Sequence, residues 1–293
     1  MRIKKILWAS DGSKESRHAL KWAELFATRF GASLSALSVI EIPEIGTLKI
    51  PADVNTKIAL IEPDLVRRAE NQLAHSAKIL EPKGIRMETR VVRGIPYQEI
   101  LKAARSHDFD LIAMGKQALN LWGRMLLGST TTKVLRETHV PILTVRQDTS
   151  APAVKKILVP ISFSPGDTRS LEYAFELAGK LSATVYLLHI IQAHESWDKI
   201  TEGFMGRLRE LATHKLDAVL QSISAKSRRG VREIKRVKAC RVGSGIVDFV
   251  REQAIDLIVM STHARRGVPR LFLGSIPERV IREAPCPVIA VRP

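Results

Sequence analysis

A chain of 293 residues, 45% hydrophobic and 26% charged, is long enough for two domains with separate cores, and no apolar run approaches the ~20 residues needed to cross a bilayer. Its two cysteines, Cys240 and Cys286, lack metal-type spacing and form no disulfide framework, and the opening MRIKKILWASDGS has too short an apolar stretch for a secretory signal; the expected location is therefore a reducing cytoplasm. A formal net charge of +16 attracts anions at long range, whether nucleic acid, acidic membrane surfaces or small molecules, without choosing among them.

In chain order, Ile3 to Ala9 is a short apolar run closed by Ser10-Asp11-Gly12-Ser13, which predicts a buried parallel strand. Helical spacing of Ala19, Leu20, Ala23, Phe26 and Ala27 runs to a stop at Gly31. Ala32 to Ile40 predicts the second strand. Glu41 to Pro63 contains three prolines and reads as an irregular insertion, followed by a helix over Asp64 to Leu80. Strand Ile85 to Val92, helix Tyr97 to Ser106 and strand Leu111 to Met114 come next. A loop of about 13 residues leads to helix Ser129 to Glu137 and strand Pro141 to Val145.

The order then repeats: strand Lys156 to Pro160, helix Asp167 to Leu181, strand Ala183 to Ile191, helix Phe204 to Ala225, strand Val231 to Lys238, helix Ile246 to Gln253, strand Leu257 to Met260, helix Ser275 to Glu283 and strand Val288 to Val291. The residues repeat too. Lys5-Ile6-Leu7 returns as Lys156-Ile157-Leu158, an offset of 151, and Asp110-Leu111-Ile112 returns as Asp256-Leu257-Ile258, an offset of 146. Gly128-Ser129 returns as Gly274-Ser275 at that second offset. A period this long matches one compact domain rather than a solenoid unit. The expected division is a first domain over 1–146, a linker over 147–154 and a second domain over 155–293, each a doubly wound α/β unit with a five-stranded parallel sheet between helices.

The densest basic stretch, Lys226 to Arg241, overlaps a predicted strand and has no interleaved aromatics, so a charged guard on an edge strand is the better reading and nucleic acid is not an expected partner. In a doubly wound sheet, ligands sit beyond the carboxyl ends of the strands. Three features converge there in the first half. Asp11 follows strand one and can accept hydrogen bonds. Gly94 follows strand three and lets a flat ring approach the backbone. Gly115 ends strand four, and Gly128-Ser129-Thr130 opens a helix whose N–H groups suit an anion, with Lys116 and Arg124 in the intervening loop as candidate phosphate contacts. Each motif alone is more often a turn or a cap; their shared edge argues for a site.

These residues resemble the universal stress protein family in its tandem form. The stretch MSTHARRGVPRLFLGSIPERVIREAPCPVIAVR, at 260–292, is similar to the family's terminal signature throughout. Nucleotide-binding members carry Gly, two residues, Gly, nine residues, then Gly and Ser or Thr. The first copy reads Gly115, Ala118, Gly128, Ser129, and the second reads Ser261, Ala264, Gly274, Ser275. The family's strand-one aspartate matches Asp11, with Ser162 as its counterpart in the second copy. The resemblance implies an adenine nucleotide α-hydrolase-like fold and binding of ATP, with Mg2+ as its usual companion. Asp11, Val39, Ile40 and Gly94 would hold the adenosine; Gly115, Ala118, Gly128, Ser129 and Thr130 would hold the phosphates. The second site is expected to be degenerate or to take another ligand, because Ser162 removes an acceptor, Ser261 and Ala264 add bulk, and Pro277 deletes an N–H.

No catalytic or metal-binding constellation is present in the sequence, so the expected role is regulator or adaptor in a stress response, at most a slow ATPase. The resemblance also implies protein partners of unspecified identity, an internal pseudo-dimer through the last strand of each copy, and a homodimer of chains. The alternative is a nucleotide-independent scaffold, favoured by the replaced glycines and opposed by Asp11, Gly115 and Ser129.

Overall fold

The computed structural model describes residues 3–41, 52–116, 118–121, 124–146, 153–192, 202–262 and 273–292. In the first half, β1 (Lys5–Ser10), α1 (Lys14–Phe30), β2 (Ser33–Ile40), α2 (Ala52–Leu80), β3 (Met87–Arg93), α3 (Pro96–Ser106) and β4 (Leu111–Gly115) follow one another; then come β5 (Ala118–Leu121), β6 (Arg124–Leu127), α4 (Ser129–Glu137) and β7 (Ile142–Val145). The second half runs β8 (Lys156–Ile161), α5 (Gly166–Leu181), β9 (Thr184–Gln192), α6 (Glu202–Gln221), α7 (Ala225–Arg228), β10 (Glu233–Cys240), α8 (Val242–Glu252), β11 (Leu257–Ser261), α9 (Ser275–Glu283) and β12 (Val288–Val291).

Local chemistry sets these boundaries. Ser13 caps α1, its side chain accepting the Ser16 N–H at 3.1 Å, and Gly31 ends the helix in the left-handed region that a Cβ disfavours. Between them Ala19, Trp22, Ala23, Phe26, Ala27 and Phe30 bury one stripe. The repeated Asp-Leu-Ile motif acts as a clamp on the first strand of each half. Asp110 Oδ2 accepts the N–H groups of Lys4 and Lys5 at 2.7 and 3.0 Å, and Asp256 Oδ2 accepts those of Lys155 and Lys156 at 2.8 and 2.9 Å.

All the strands except β5 and β6 form one ten-stranded sheet in the order β10-β9-β8-β11-β12-β7-β4-β1-β2-β3. Within each half the pairing is parallel; at the centre β12 and β7 run antiparallel. There Leu143 faces Ile289, its own counterpart 146 positions on, so a pseudo-twofold axis passes through that pair. The two faces of the sheet carry separate cores, and each core includes residues from both halves. The last strands thus pair internally, as the resemblance implies. The basic β10 is an outer strand, and part of the charge of the stretch Lys226 to Arg241 is matched: Arg228 of α7 pairs with Glu233, Lys235 with Asp217 and Lys238 with Glu252.

Three expectations change. Residues 52–63, read as irregular, belong to α2, which continues through Pro63; a proline removes one helical hydrogen bond but does not stop a helix held elsewhere along its length. The loop before α4 contains the antiparallel hairpin β5–β6, and β6 lies against α9 of the other half. The helix expected to reach Ala225 ends at Gln221, and α7 is separate. Residues 42–51, and 147–152 of the expected linker, lie outside the described residues.

Candidate functional site

The carboxyl ends of β1, β2 and β4 enclose a cavity of about 290 Å³, closed by the starts of α3 and α4. Asp11, Val39, Gly115 and Thr130 line it, four of the nine positions expected at the site. Ser10, Glu41 and Thr131 line it as well. Ser10 and Glu41 were not singled out from the sequence, although each sits at a strand's carboxyl end, where any residue facing the ligand edge is a candidate.

The cavity is polar in an ordered way. Asp11 Oδ1 accepts the Ser13 N–H at 3.0 Å, which holds this exposed carboxylate over the turn, and Glu41 adds a second acid on the same side. Opposite stands the start of α4. Gly128 caps it without a side-chain bond, and the Thr132 N–H to Gly128 carbonyl bond at 3.0 Å marks the first helical turn. The N–H groups of Ser129, Thr130 and Thr131 therefore have no partner within the helix. Acceptors and donors line one space.

The other expected residues frame this space. Ile40 ends β2, and its carbonyl accepts the Gly94 N–H at 3.2 Å. Gly94 has φ +145, and a Cβ there would meet Glu99 Cγ at 3.0 Å. Ser129 is the first residue of α4, and Ala118 begins β5 with its side chain outside the described set, as is that of Arg124. Gly115 is needed for packing: a Cβ would fall 2.5 Å from Ser16 N and 2.6 Å from the Glu15 carbonyl carbon.

Lys116 does not join the phosphate side. It is 3% exposed and points into the joint between the halves, near Arg146, Arg282, Glu283 and Cys286. Loss of water, reinforced by Arg146, lowers its pKa to about 7. Burial pushes the Cys286 thiol up to about 12. At the same joint Arg292, 6% exposed, donates from Nη1 to the Thr138 carbonyl at 2.9 Å and from Nη2 to the Arg136 carbonyl, satisfying the end of α4. The side chain of a residue following a strand can turn either way, and a short motif does not specify which.

A second cavity of about 200 Å³ occupies the equivalent edge of β8, β9 and β11. Superposing the halves by the offsets of 151 and 146 shows replacements made in pairs. Asp11 and Ser16 become Ser162 and Asp167. Asp167 is 2% exposed; its Oδ2 accepts the N–H groups of Ser162 and Ser164, both at 2.9 Å. Burial raises its pKa, against the pull of those hydrogen bonds. The acceptor expected to vanish at Ser162 has thus reappeared five residues on, turned into its own loop. Glu15 and Gly115 become Gly166 and Ser261, so the hydroxymethyl expected to intrude at 261 stands opposite a residue that lost its side chain. Gly94 and Glu99 become Cys240 and Gly245, and a Cβ at Gly245 would collide with Cys240 Sγ. Ala264, with the rest of 263–272, lies outside the described residues.

The comparisons agree with this duplicated architecture. The model of the universal stress protein family matches twice, over residues 2–146 and 153–292. A universal stress protein of Mycolicibacterium smegmatis is 24% identical over 98% of this chain and 97% of its own length. One from Methanocaldococcus jannaschii is 32% identical over 49% of this chain and 82% of its own. Among solved structures, a universal stress protein from Archaeoglobus fulgidus superposes with a TM-score of 0.73 at 23% identity, covering 100% of this chain and 99% of that one. With the family's domain matched in both halves and a relative of the same length aligned end to end, the chain belongs to the universal stress protein family, in its tandem form.

Proposed function

We propose that the first half binds an adenine nucleotide, ATP with Mg2+, in the 290 Å³ cavity, and that occupancy adjusts the contacts of the chain with protein partners in a stress response. The observation that carries this reading is the polarity of the cavity. Asp11 and Glu41 offer acceptors to the hydroxyls and amine of an adenosine, and the start of α4 offers N–H donors, with the Thr130 hydroxyl beside them, to phosphate. Gly94 leaves the end of β3 without a side chain beside the Val39-Ile40 backbone. The size of any switch equals the difference in ATP affinity between two states of the chain.

A second reading, a nucleotide-independent scaffold, draws on the path of the phosphate-side loop. That loop is folded as β5–β6 against α9, and Lys116 is committed to the joint. Calorimetric titration of nucleotide-stripped protein with ATP and Mg2+ separates the readings. One site per chain, weakened about tenfold by Asp11→Ala through loss of charge-assisted hydrogen bonds, is expected. No binding by calorimetry and by an independent fluorescent analogue would remove the nucleotide reading and leave the scaffold.

A further inference from the structure

The second cavity lies where the first one does, yet its chemistry is different. Ser10 of the first cavity is replaced by Ile161, Thr130 by Ile276 and Thr131 by Pro277. Pro277 has no N–H, so the helix start loses a donor together with both threonine hydroxyls. Glu41 is replaced by the neutral Gln192, and the carboxylate of Asp167 is consumed by Ser162 and Ser164. The two acids of the first cavity and three of its donors are thus replaced or turned away, while Ser162, Gln192 and Ser261 remain as neutral polar lining. Leu188, Ile190, Ile246 and Met260 continue the wall, so the space is apolar on most sides.

One polar ring remains in that wall. His189 replaces Ser38 and lines the cavity. Its Nδ1 lies 2.9 Å from the Ile161 carbonyl, an atom that only accepts, so Nδ1 carries the hydrogen and Nε2 is an acceptor in the neutral ring. Nε2 has no hydrogen-bond partner among the described residues. The ring is also held in place from outside. Phe163 packs against it with the rings tilted by 39° and 4.3 Å between centroids, and Lys215 sits 5.7 Å from the Phe163 ring. Phe163 keeps φ at +60, where the first half has Gly12 at φ +75. A bulky residue in the left-handed region is strained and persists only where its surroundings fix it. Here the strained phenylalanine supports the histidine.

We propose that the second half is a small-molecule site for a neutral, rigid aromatic compound bearing one N–H or O–H donor, the donor meeting His189 Nε2, and that it rejects phosphorylated ligands. A mostly apolar wall with the His189 acceptor selects an apolar body carrying a donor, because an apolar ligand surface gains by leaving water and the donor keeps a partner there. A rigid ring is favoured over a flexible acyl chain, since a space of about 200 Å³ would freeze each rotor of the chain. Among the described residues that line the cavity an anion finds no lysine or arginine, and the helix start offers one N–H fewer than in the first half and no hydroxyl from positions 276 and 277. This assignment rests on the second half alone and stands whether or not the first half binds ATP.

The test uses the full chain and 1-naphthol, followed by its own fluorescence, with indole as a second probe and 1-naphthyl phosphate as the anionic comparison. Saturable binding of one 1-naphthol per chain is expected, unchanged by saturating ATP and absent for 1-naphthyl phosphate. Ile276→Phe fills the cavity from a partly exposed position at the edge of the core and should abolish binding. His189→Phe keeps a ring for Phe163 to pack against and removes the acceptor; binding should weaken about 3- to 10-fold. Failure of both 1-naphthol and indole to saturate would overturn the proposal. So would displacement by ATP, binding insensitive to Ile276→Phe, or 1-naphthyl phosphate binding as tightly as 1-naphthol. A lost ATP site with intact 1-naphthol binding would instead strike only the nucleotide reading.

Discussion

Putting serine at position 115 tests whether the paired replacements between the halves are energetically coupled. A Cβ at Gly115 would lie 2.5 Å from Ser16 N, 2.6 Å from the Glu15 carbonyl carbon and 2.9 Å from Glu15 Cβ. Two of these atoms are backbone, so the start of α1 must move, and overpacking of this kind costs about 1–3 kcal/mol. Glu15→Gly alone loosens the first turn of α1 and removes an acid from a helix N-terminus, for about 0.5–1.5 kcal/mol. Independent effects would add to about 1.5–4.5 kcal/mol in the double variant. The second half already carries both changes, as Ser261 and Gly166, with β11 and α5 intact. The Gly115→Ser, Glu15→Gly chain should therefore be at least about 1 kcal/mol more stable than the sum of its single losses. Urea denaturation of the four proteins, followed by far-ultraviolet circular dichroism, measures the cycle. Additivity within about 0.5 kcal/mol would refute the idea that one residue makes room for the other.

The joint supplies a pH-dependent expectation. Lys116 is lowered from 10.5 to about 7 in the folded chain, so between those values the unfolded chain binds more protons and stability rises with pH. Cys286 is raised from 9.0 to about 12 and acts oppositely, but only above pH 9. From pH 7 to 9 the folded chain should gain about 2 kcal/mol, on the order of 1.4 per pH unit, and Lys116→Met should erase that gain while raising stability at pH 7. Equal slopes in the two proteins by urea denaturation would contradict the buried placement of the ammonium. Arg292→Ala leaves the Arg136 and Thr138 carbonyls at the end of α4 without their donor and should destabilise by about 2–4 kcal/mol, read as an earlier urea midpoint with an unchanged slope. Asp11→Ala should lower ATP affinity about tenfold while shifting the urea midpoint little, because the carboxylate is exposed; a large midpoint shift would mean that it serves the turn alone.

The sequence revealed the architecture because strand and helix carry different apolar periods, and because Asp110 and Asp256 recur with the strands they clamp. The central pairing of the last strands was implied by the family resemblance alone, since equivalence of two strands does not make them neighbours. The site was only partly legible. Asp11, Val39, Gly115 and Thr130 line the first cavity, since strand ends are fixed by the pattern. Lys116 follows the same strand and turns into the joint, a choice made by tertiary packing that no local spacing records. Pro63 looked like a boundary and sits inside α2, because neighbouring helical bonds tolerate one loss. The displaced carboxylate at Asp167 was within reach: adding 151 to Ser16 finds it. Its inward turn was not, because only the structure shows Ser162 and Ser164 closing on it.

The antiparallel seam between β7 and β12 has a consequence for divergence. When two identical chains meet across such a seam, every substitution appears on both sides of the axis, and a change that suits one ligand is imposed on the other site. Joining the copies in one polypeptide breaks that bond of identity while keeping the shared sheet. Each half can then mutate against a scaffold its neighbour continues to hold. One edge can remain acidic and donor-rich while its twin becomes an apolar chamber around a histidine.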